Sequence, residues 1–265
     1  MRILSLFLFS ALLIVIGLVV VWRMRPVAPP PPSSVAAPLP DACGDVSFEG
    51  AGHIVCVLDS GAYDIRIAHE SVNGAPFGSV PALDAEMAGQ GRMPLLSMNA
   101  GMYHKDLSPV GLLVEEGREK ARLNLDDGEG NFFMKQNGVF MIGRDGRGAV
   151  MEASDYAQQA PDAFYATQSG PMLVIDGNIH PRFEPDGASR HVRNGVGIDG
   201  QGRIVLAVSR KPVSLGSFAR LFRDELGCRN ALFLDGAIST MTSAGKIIVG
   251  GKHPAGPIVA VFEKR

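Results

Sequence analysis

The chain has 265 residues, 46% hydrophobic and 20% charged, enough apolar residues to close a sizeable core and too many for bulk disorder. Arg2, Arg23 and Arg25 precede the first acid, Asp41, so residues 26–265 hold 22 bases against 27 acids. A body of that sign suits nucleic acid poorly, because phosphate binding needs clustered cations.

Residues 3–22 form an uncharged run of twenty, ILSLFLFSALLIVIGLVVVW. As a helix rising about 1.5 Å per residue it would span about 30 Å, the hydrocarbon thickness of a bilayer. It exceeds the roughly 7–15 residues of a signal-peptide core, which favours an uncleaved anchor over a cleaved signal. Trp22 fits its interfacial end. Residues 1–25 are therefore read as a membrane anchor, and the Pro-, Ala- and Ser-rich residues 26–40 as an extended stalk that cannot pack. The expected location is the inner membrane, single-pass, with the membrane as a partner through residues 3–22. The body, residues 41–265, would lie in the periplasm or extracellular space.

The 32 glycines and 7% aromatics imply many turns and a strand-rich body. No linker or charge block interrupts it, so it reads as one domain. Residues 53–68 give two apolar runs broken by Asp59-Ser60-Gly61, a hairpin signature. Further strands are predicted at residues 95–98, 110–114, 138–142, 172–175, 204–208 and 231–234. Helices are predicted at residues 80–88 and 214–226. The second carries Leu215, Phe218, Leu221 and Phe222 at helical spacing, with Gly227 as a stop. Two similar stretches, LLVEEG at 112–117 and MLVIDG at 172–177, each lead to Asn-Gly-Val and read as two like hairpins of one sheet. The fold class is α+β: mixed, largely antiparallel β-sheets with few packed helices, a single domain behind an N-terminal transmembrane helix. Cys43, Cys56 and Cys228 contain no C-x-x-C pair, which excludes a zinc ribbon or thioredoxin motif. Spacing does not choose a disulfide; a bond from Cys43 or Cys56 to Cys228 would tie the start of the body to its end.

Four clusters place polar residues at strand ends among glycines. In MNAGMYHKDLSPVG (98–111), Asn99 follows an apolar strand and Tyr103 adds a phenol. A hairpin turn with solvated side chains is the simpler reading of that stretch alone. His104 has no second His at a helical spacing, so zinc motifs are absent. In GNFFMKQN (130–137), Lys135 could meet an anion or simply point outward from a strand, and at least one of Phe132 and Phe133 belongs in the core. In ATQSGP (166–171), Gln168 and Ser169 offer sugar-binding donors and acceptors. Ser169 is not in G-x-S-x-G, so a nucleophile elbow is unsupported. Downstream, Arg193 precedes Asn194-Gly195, and its planar fork suits a phosphate or carboxylate. In LFLDGAIST (232–240), an apolar strand delivers Asp235 to its tip, ahead of Ser239. A carboxylate so placed serves as base, nucleophile or metal ligand, or merely as part of an Asp-Gly turn.

Together, Asn99-Ala100-Gly101-Met102-Tyr103, Ser108-Pro109-Val110-Gly111, Gly130-Asn131-Phe132-Phe133, Gln168-Ser169-Gly170-Pro171, Arg193-Asn194-Gly195-Val196-Gly197 and Leu234-Asp235-Gly236 resemble the phosphodiester glycosidase family. The likeness runs from about Cys43 to the C-terminus and is nearest to a bacterial periplasmic branch of unknown function. It departs at Ala237-Ile238, where the family often has two further glycines, and at Met102-Tyr103, where it often has two aromatics. The resemblance implies an extracytoplasmic hydrolase that cleaves a glycosyl phosphodiester or related envelope glycan bond, with glycan or sugar phosphodiester as its substrate. The alternative is a non-catalytic, membrane-anchored module that binds anionic glycan. Asp235, Arg193 and Asn99 are the expected catalytic residues, with Tyr103, Lys135, Gln168, Ser169 and Ser239 binding substrate. No cofactor is demanded; a divalent cation held by Asp235 and another carboxylate such as Asp176 would be compatible.

Overall fold

The computed structural model describes residues 37–264, and residues 37–265 form one compact unit. Its strands assemble into three sheets. The first has seven strands: β1 (Cys43–Phe48), β2 (Ala51–Leu58), β10 (Met172–Ile175), β11 (Asn178–Ile179), β12 (Asn194–Ile198), β13 (Ile204–Ser209) and β14 (Asn230–Phe233). They lie in the order β1-β2-β13-β12-β14-β10-β11. The second holds β3 (Tyr63–Ala68), β4 (Leu96–Asn99), β15 (Met241–Ser243), β16 (Lys246–Val249) and β17 (Ile258–Glu263), ordered β16-β15-β4-β17-β3. The third holds β5 (Leu113–Glu115), β6 (Arg118–Ala121), β7 (Gly138–Ile142), β8 (Gly148–Glu152) and β9 (Tyr165–Ser169), ordered β6-β5-β9-β7-β8. Every pairing between these strands is antiparallel. The α+β class holds, without the parallel component of a mixed sheet.

Period-two alternation explains how three sheets share one core. Ile54, Cys56 and Leu58 of β2 and Ile204, Leu206 and Val208 of β13 point inward. There they meet Ile65 and Ile67 of the second sheet and Phe140 and Ile142 of the third. Their neighbours Val55, Val205 and Ala207 face the other way, onto Phe218, Leu221 and Phe222. Those three lie on α3 (Leu215–Arg220) and the π-helical turn Leu221–Glu225 that continues it. The predicted 214–226 helix is thus α-helix then π-helix. Its N-cap is Ser214, whose hydroxyl accepts from the Ser217 N–H at 3.1 Å. The close seat of this helix is set by two glycines. A Cβ at Gly195 would meet the Phe218 ring at 3.2 Å, and one at Gly197 would meet the Phe222 ring at 2.9 Å. These motif glycines therefore serve packing.

Helix α1 (Val80–Gly89) covers the outer face of the second sheet, burying Val80 and Leu83 against Ile258, Ala260 and Phe262. The short α2 (Ala153–Gln159) flanks the third sheet.

Several sequence expectations are corrected. Residues 53–68 do supply two strands, but they do not pair. β2 joins β1 and β13, whereas β3 joins β17 in another sheet. Asp59-Ser60-Gly61 turns the chain between sheets, because the inward residues of both strands must face one core. The LLVEEG and MLVIDG stretches are both hairpins with paired positive φ, at Glu116-Gly117 and Asp176-Gly177, as type I′ turns require. They belong to different sheets, not to one. The disulfide joins Cys43 to Cys56, opposite partners of β1 and β2, and Cys228 is a buried free thiol under the helix. Finally, no helix among the described residues is long and apolar enough to cross a membrane. The anchor placed on residues 3–22 and most of the stalk at 26–40 lie outside the described residues. The transmembrane helix, the membrane as partner and the single-pass inner-membrane location therefore have no support in the structure and are withdrawn.

Candidate active site

The site forms at the seam between the first two sheets, where β4 and β14 end and β12 begins. Asn99, the last residue of β4, is buried and spends its whole amide on this seam. Its Nδ2 donates to the Asp235 carbonyl at 2.8 Å, and its Oδ1 accepts from the Thr240 N–H at 2.8 Å and from Asn194 Nδ2 at 3.1 Å. Asn194 Nδ2 also donates to the Asn99 carbonyl at 2.7 Å. The Asp235 N–H in turn bonds the Ala100 carbonyl at 3.0 Å. Two apolar strands from different sheets are thereby locked tip to tip by an Asn pair, which holds the Asp235-Gly236 backbone in place.

Ser239 Oγ lies 3.0 Å from the Val192 carbonyl, 3.1 Å from the Gly236 carbonyl and 3.3 Å from Asn194 Oδ1. Its one proton is committed to these acceptors, so Ser239 acts as a brace for the Gly236–Ile238 turn. Tyr103 closes the site from the other side, donating to the Pro254 carbonyl at 2.7 Å. Burial, and then the negative charge of Asp235 nearby, push its phenol up to about 12. It is a neutral hydrogen-bonding group at ordinary pH.

Arg193 is the largest of the fully buried side chains. Its backbone abuts Gly236, its Nε donates to the Val213 carbonyl at 2.8 Å, and its Nη2 donates to the Ser189 carbonyl at 2.8 Å. The guanidinium lies 5.3 Å from the centroid of the Phe233 ring. No carboxylate among the described residues pairs with it. Burial lowers it to about 10, which still leaves it charged at neutral pH. A buried cation held only by carbonyls and a ring is costly unless an anion completes it.

The remaining expected residues are placed differently. Gln168, on β9 of the third sheet, is buried and fully engaged. Its Oε1 accepts from the N–H groups of Leu112 and Asn124 at 3.0 and 2.9 Å, and its Nε2 donates to the Asn124 carbonyl at 2.6 Å. It pins the segment after β6 beneath the site. Ser169 is fully buried and its hydroxyl has no partner among the described residues. Lys135 reaches the Leu125 carbonyl at 2.7 Å and Asp127 at 3.5 Å on an exposed loop. Asp176 cannot join Asp235 around a cation. Its N–H bonds Asn230 Oδ1 at the start of β14, while Asp235 lies beyond the strand's end, roughly 15 Å away at about 3.3 Å per residue. Among the described residues no group of three or more His, Cys, Asp or Glu converges to hold a metal ion. Sequence reasoning passed over Asn194 and Thr240 as site members. Asn194 stood in a quoted motif, but only the tertiary contact with Asn99 separates its role from that of its neighbours.

A buried Asn clamp, a strand-tip carboxylate and a buried arginine whose backbone abuts the turn after it together form a polar cluster at the seam of two antiparallel sheets. The chain belongs to the phosphodiester glycosidase (NAGPA) family, whose profile matches residues 94–260 and so takes in every residue just described. It is 36% identical over 200 residues to the uncharacterized protein YigE of Escherichia coli K12, covering 76% of this chain and 78% of that one. The catalytic domain of zebrafish N-acetylglucosamine-1-phosphodiester alpha-N-acetylglucosaminidase, auto-inhibited by its pro-peptide, shares the fold. The TM-score is 0.60 at 15% identity, over 84% of this chain and 82% of that one. A hypothetical protein from Synechocystis does so with a TM-score of 0.59 at 14% identity, over 84% of this chain and 61% of that one.

Proposed function

We propose that the cluster around Asp235 is the active site of a hydrolase that cleaves the sugar C1–O bond of a glycosyl phosphodiester. The observation that carries this reading is Arg193: a buried, charged guanidinium with no carboxylate partner among the described residues, on a residue whose backbone abuts the turn that follows Asp235. Cleavage at C1 expels a phosphate monoester, whose growing charge a prearranged cation stabilises. Asp235 would activate water at C1 or attack C1 itself, as glycosidase carboxylates do. Asn99 and Asn194 act by positioning it, since their amides are spent on backbone and on each other. Tyr103 supplies a neutral wall to the site. Membership of the phosphodiester glycosidase family supports the reaction class, and the zebrafish enzyme is named for a sugar-1-phosphodiester. An extracytoplasmic place for the domain is supported by the Cys43–Cys56 bond, since disulfides persist where thiols are oxidised.

The test is release of free sugar from a panel of sugar-1-phosphodiesters by the full chain, with and without added divalent cations. Asp235→Asn should cut turnover by roughly 10²–10⁴-fold, the usual worth of a positioned acid or base, while leaving the fold intact. No turnover by the folded native chain across the panel would overturn the hydrolase reading in favour of a glycan-binding module.

A further inference from the structure

The loop that follows β16 is fastened to the candidate site at both ends. A Cβ at Gly250, where φ is +71°, would fall 1.9 Å from the Ser239 carbonyl, so backbone there is seated directly on the site. The Gly251 N–H donates to Thr240 Oγ1 at 3.0 Å, and the Pro254 carbonyl receives the Tyr103 hydroxyl. Between these fastenings the loop carries Lys252 and His253. Beside it lies a cavity of about 490 Å³, lined by Ser239 of the site and by four basic side chains: His191, Arg210, Lys252 and His253. No carboxylate among the described residues lines it. Arg210 is held by Asp45 at 2.6 Å, whereas the other three pair with no carboxylate among the described residues. A volume of that size accommodates a small-molecule group. Two cations, Lys252 and Arg210, and the imidazoles of His191 and His253 give this cleft hydrogen-bond donors and positive charge, which raise the local concentration of anions.

We infer that this cavity is an anion subsite of the same active site, and that the natural substrate is a polyanion. Its aglycone carries a second negatively charged group, a phosphate or carboxylate, beyond the scissile sugar phosphate. The inference rests on the proposed hydrolase reading for its place in a reaction, but its anion-binding half stands apart from turnover. Ser239 is the shared wall. It braces the Gly236–Ile238 turn that follows Asp235 and also lines the basic cavity, which sets the cavity directly beside the candidate site.

Two measurements on the full chain test this. The first is calorimetric titration with inorganic pyrophosphate at about 20 and about 300 mM salt. Native protein should bind, with affinity falling at the higher salt as screening shortens. The double variant Lys252→Ala, His191→Ala should lose about tenfold in affinity, while the remote control Arg118→Ala should keep it. The second is hydrolysis of paired phosphodiesters whose aglycones are neutral or phosphorylated. The double variant should raise KM about tenfold for the phosphorylated substrate, leaving kcat and the neutral substrate unchanged. Absence of pyrophosphate binding by native protein, or equal binding by the double variant, overturns the subsite whether or not the chain hydrolyses anything. Equal KM values for the two aglycones overturn the polyanionic substrate. Pyrophosphate binding with no turnover on any substrate would instead leave the anion site in place and reject the hydrolase reading.

Discussion

Replacing Asn99 with alanine tests whether the Asn clamp holds the site together. The side chain bonds two backbone groups, the Thr240 N–H and the Asp235 carbonyl, both at 2.8 Å. Asn194 keeps its own bond to the Asn99 carbonyl after truncation, and the Asp235 carbonyl keeps the Ile238 N–H at 3.4 Å, so the Thr240 N–H is the backbone group left without its partner. At about 1–3 kcal/mol for a polar group left unsatisfied, the cost is about 1–3 kcal/mol. With a slope of about 3 kcal/mol/M, urea unfolding of the full chain should show a midpoint lowered by about 0.3–1 M. Asn99→Asp sharpens the test. It keeps an acceptor for Thr240 but sets an oxygen against the Asp235 carbonyl, where only a protonated acid can donate. Its folded-state pKa is therefore raised above the unfolded value. The variant is closest to native stability at acid pH and loses ground as pH rises through that folded pKa. A loss below about 1 kcal/mol for Asn99→Ala, or a pH-independent deficit for Asn99→Asp, would refute the clamp.

Three further outcomes are expected. Gly250→Ala places a methyl 1.9 Å from the Ser239 carbonyl at φ +71°; the left-handed backbone alone costs about 1–2 kcal/mol. A lower melting temperature and a loss of turnover should appear together, and an unchanged melting temperature would contradict the seat described for this loop. Burial pushes the Cys228 thiol up to about 12, so a disulfide-exchange reagent should label no thiol in the native chain, one after denaturation, and three after reduction. Labelling of the native chain would show that the helix does not seal it. Burial also lowers His53 and His180 below the ordinary imidazole value. Their stabilising share is full above about pH 6.5, the unfolded value, and is lost as pH falls through the depressed folded values. Melting temperatures should therefore decline on the acid side of about pH 6.5, and a rise there would contradict the assignment of neutral, buried rings.

Local pattern was enough to locate many elements. Strands at residues 138–142 and 172–175 were legible because apolar residues run unbroken between turn formers, and the 214–226 helix because Leu215, Phe218, Leu221 and Phe222 recur at helical spacing. Asp235 was legible as a strand-tip carboxylate for the same reason. Motif order carried the family, since it depends on residues and not on their neighbours in space. Partnership was not legible. Two strands separated by four residues with a turn between them look like a hairpin, and only the demand that three sheets face one core sends β3 to β17. The same limit applied to cysteines, where cross-strand register joined Cys43 to Cys56. In the site, chemistry alone ranked Gln168 beside Asp235. Its burial and its bonds to Leu112 and Asn124 give it a structural task, while Asn194, ordinary in sequence, meets Asn99 across the seam. Residue type states what a side chain can do, but hydrogen-bonding capacity is finite, and only the fold decides which partners consume it.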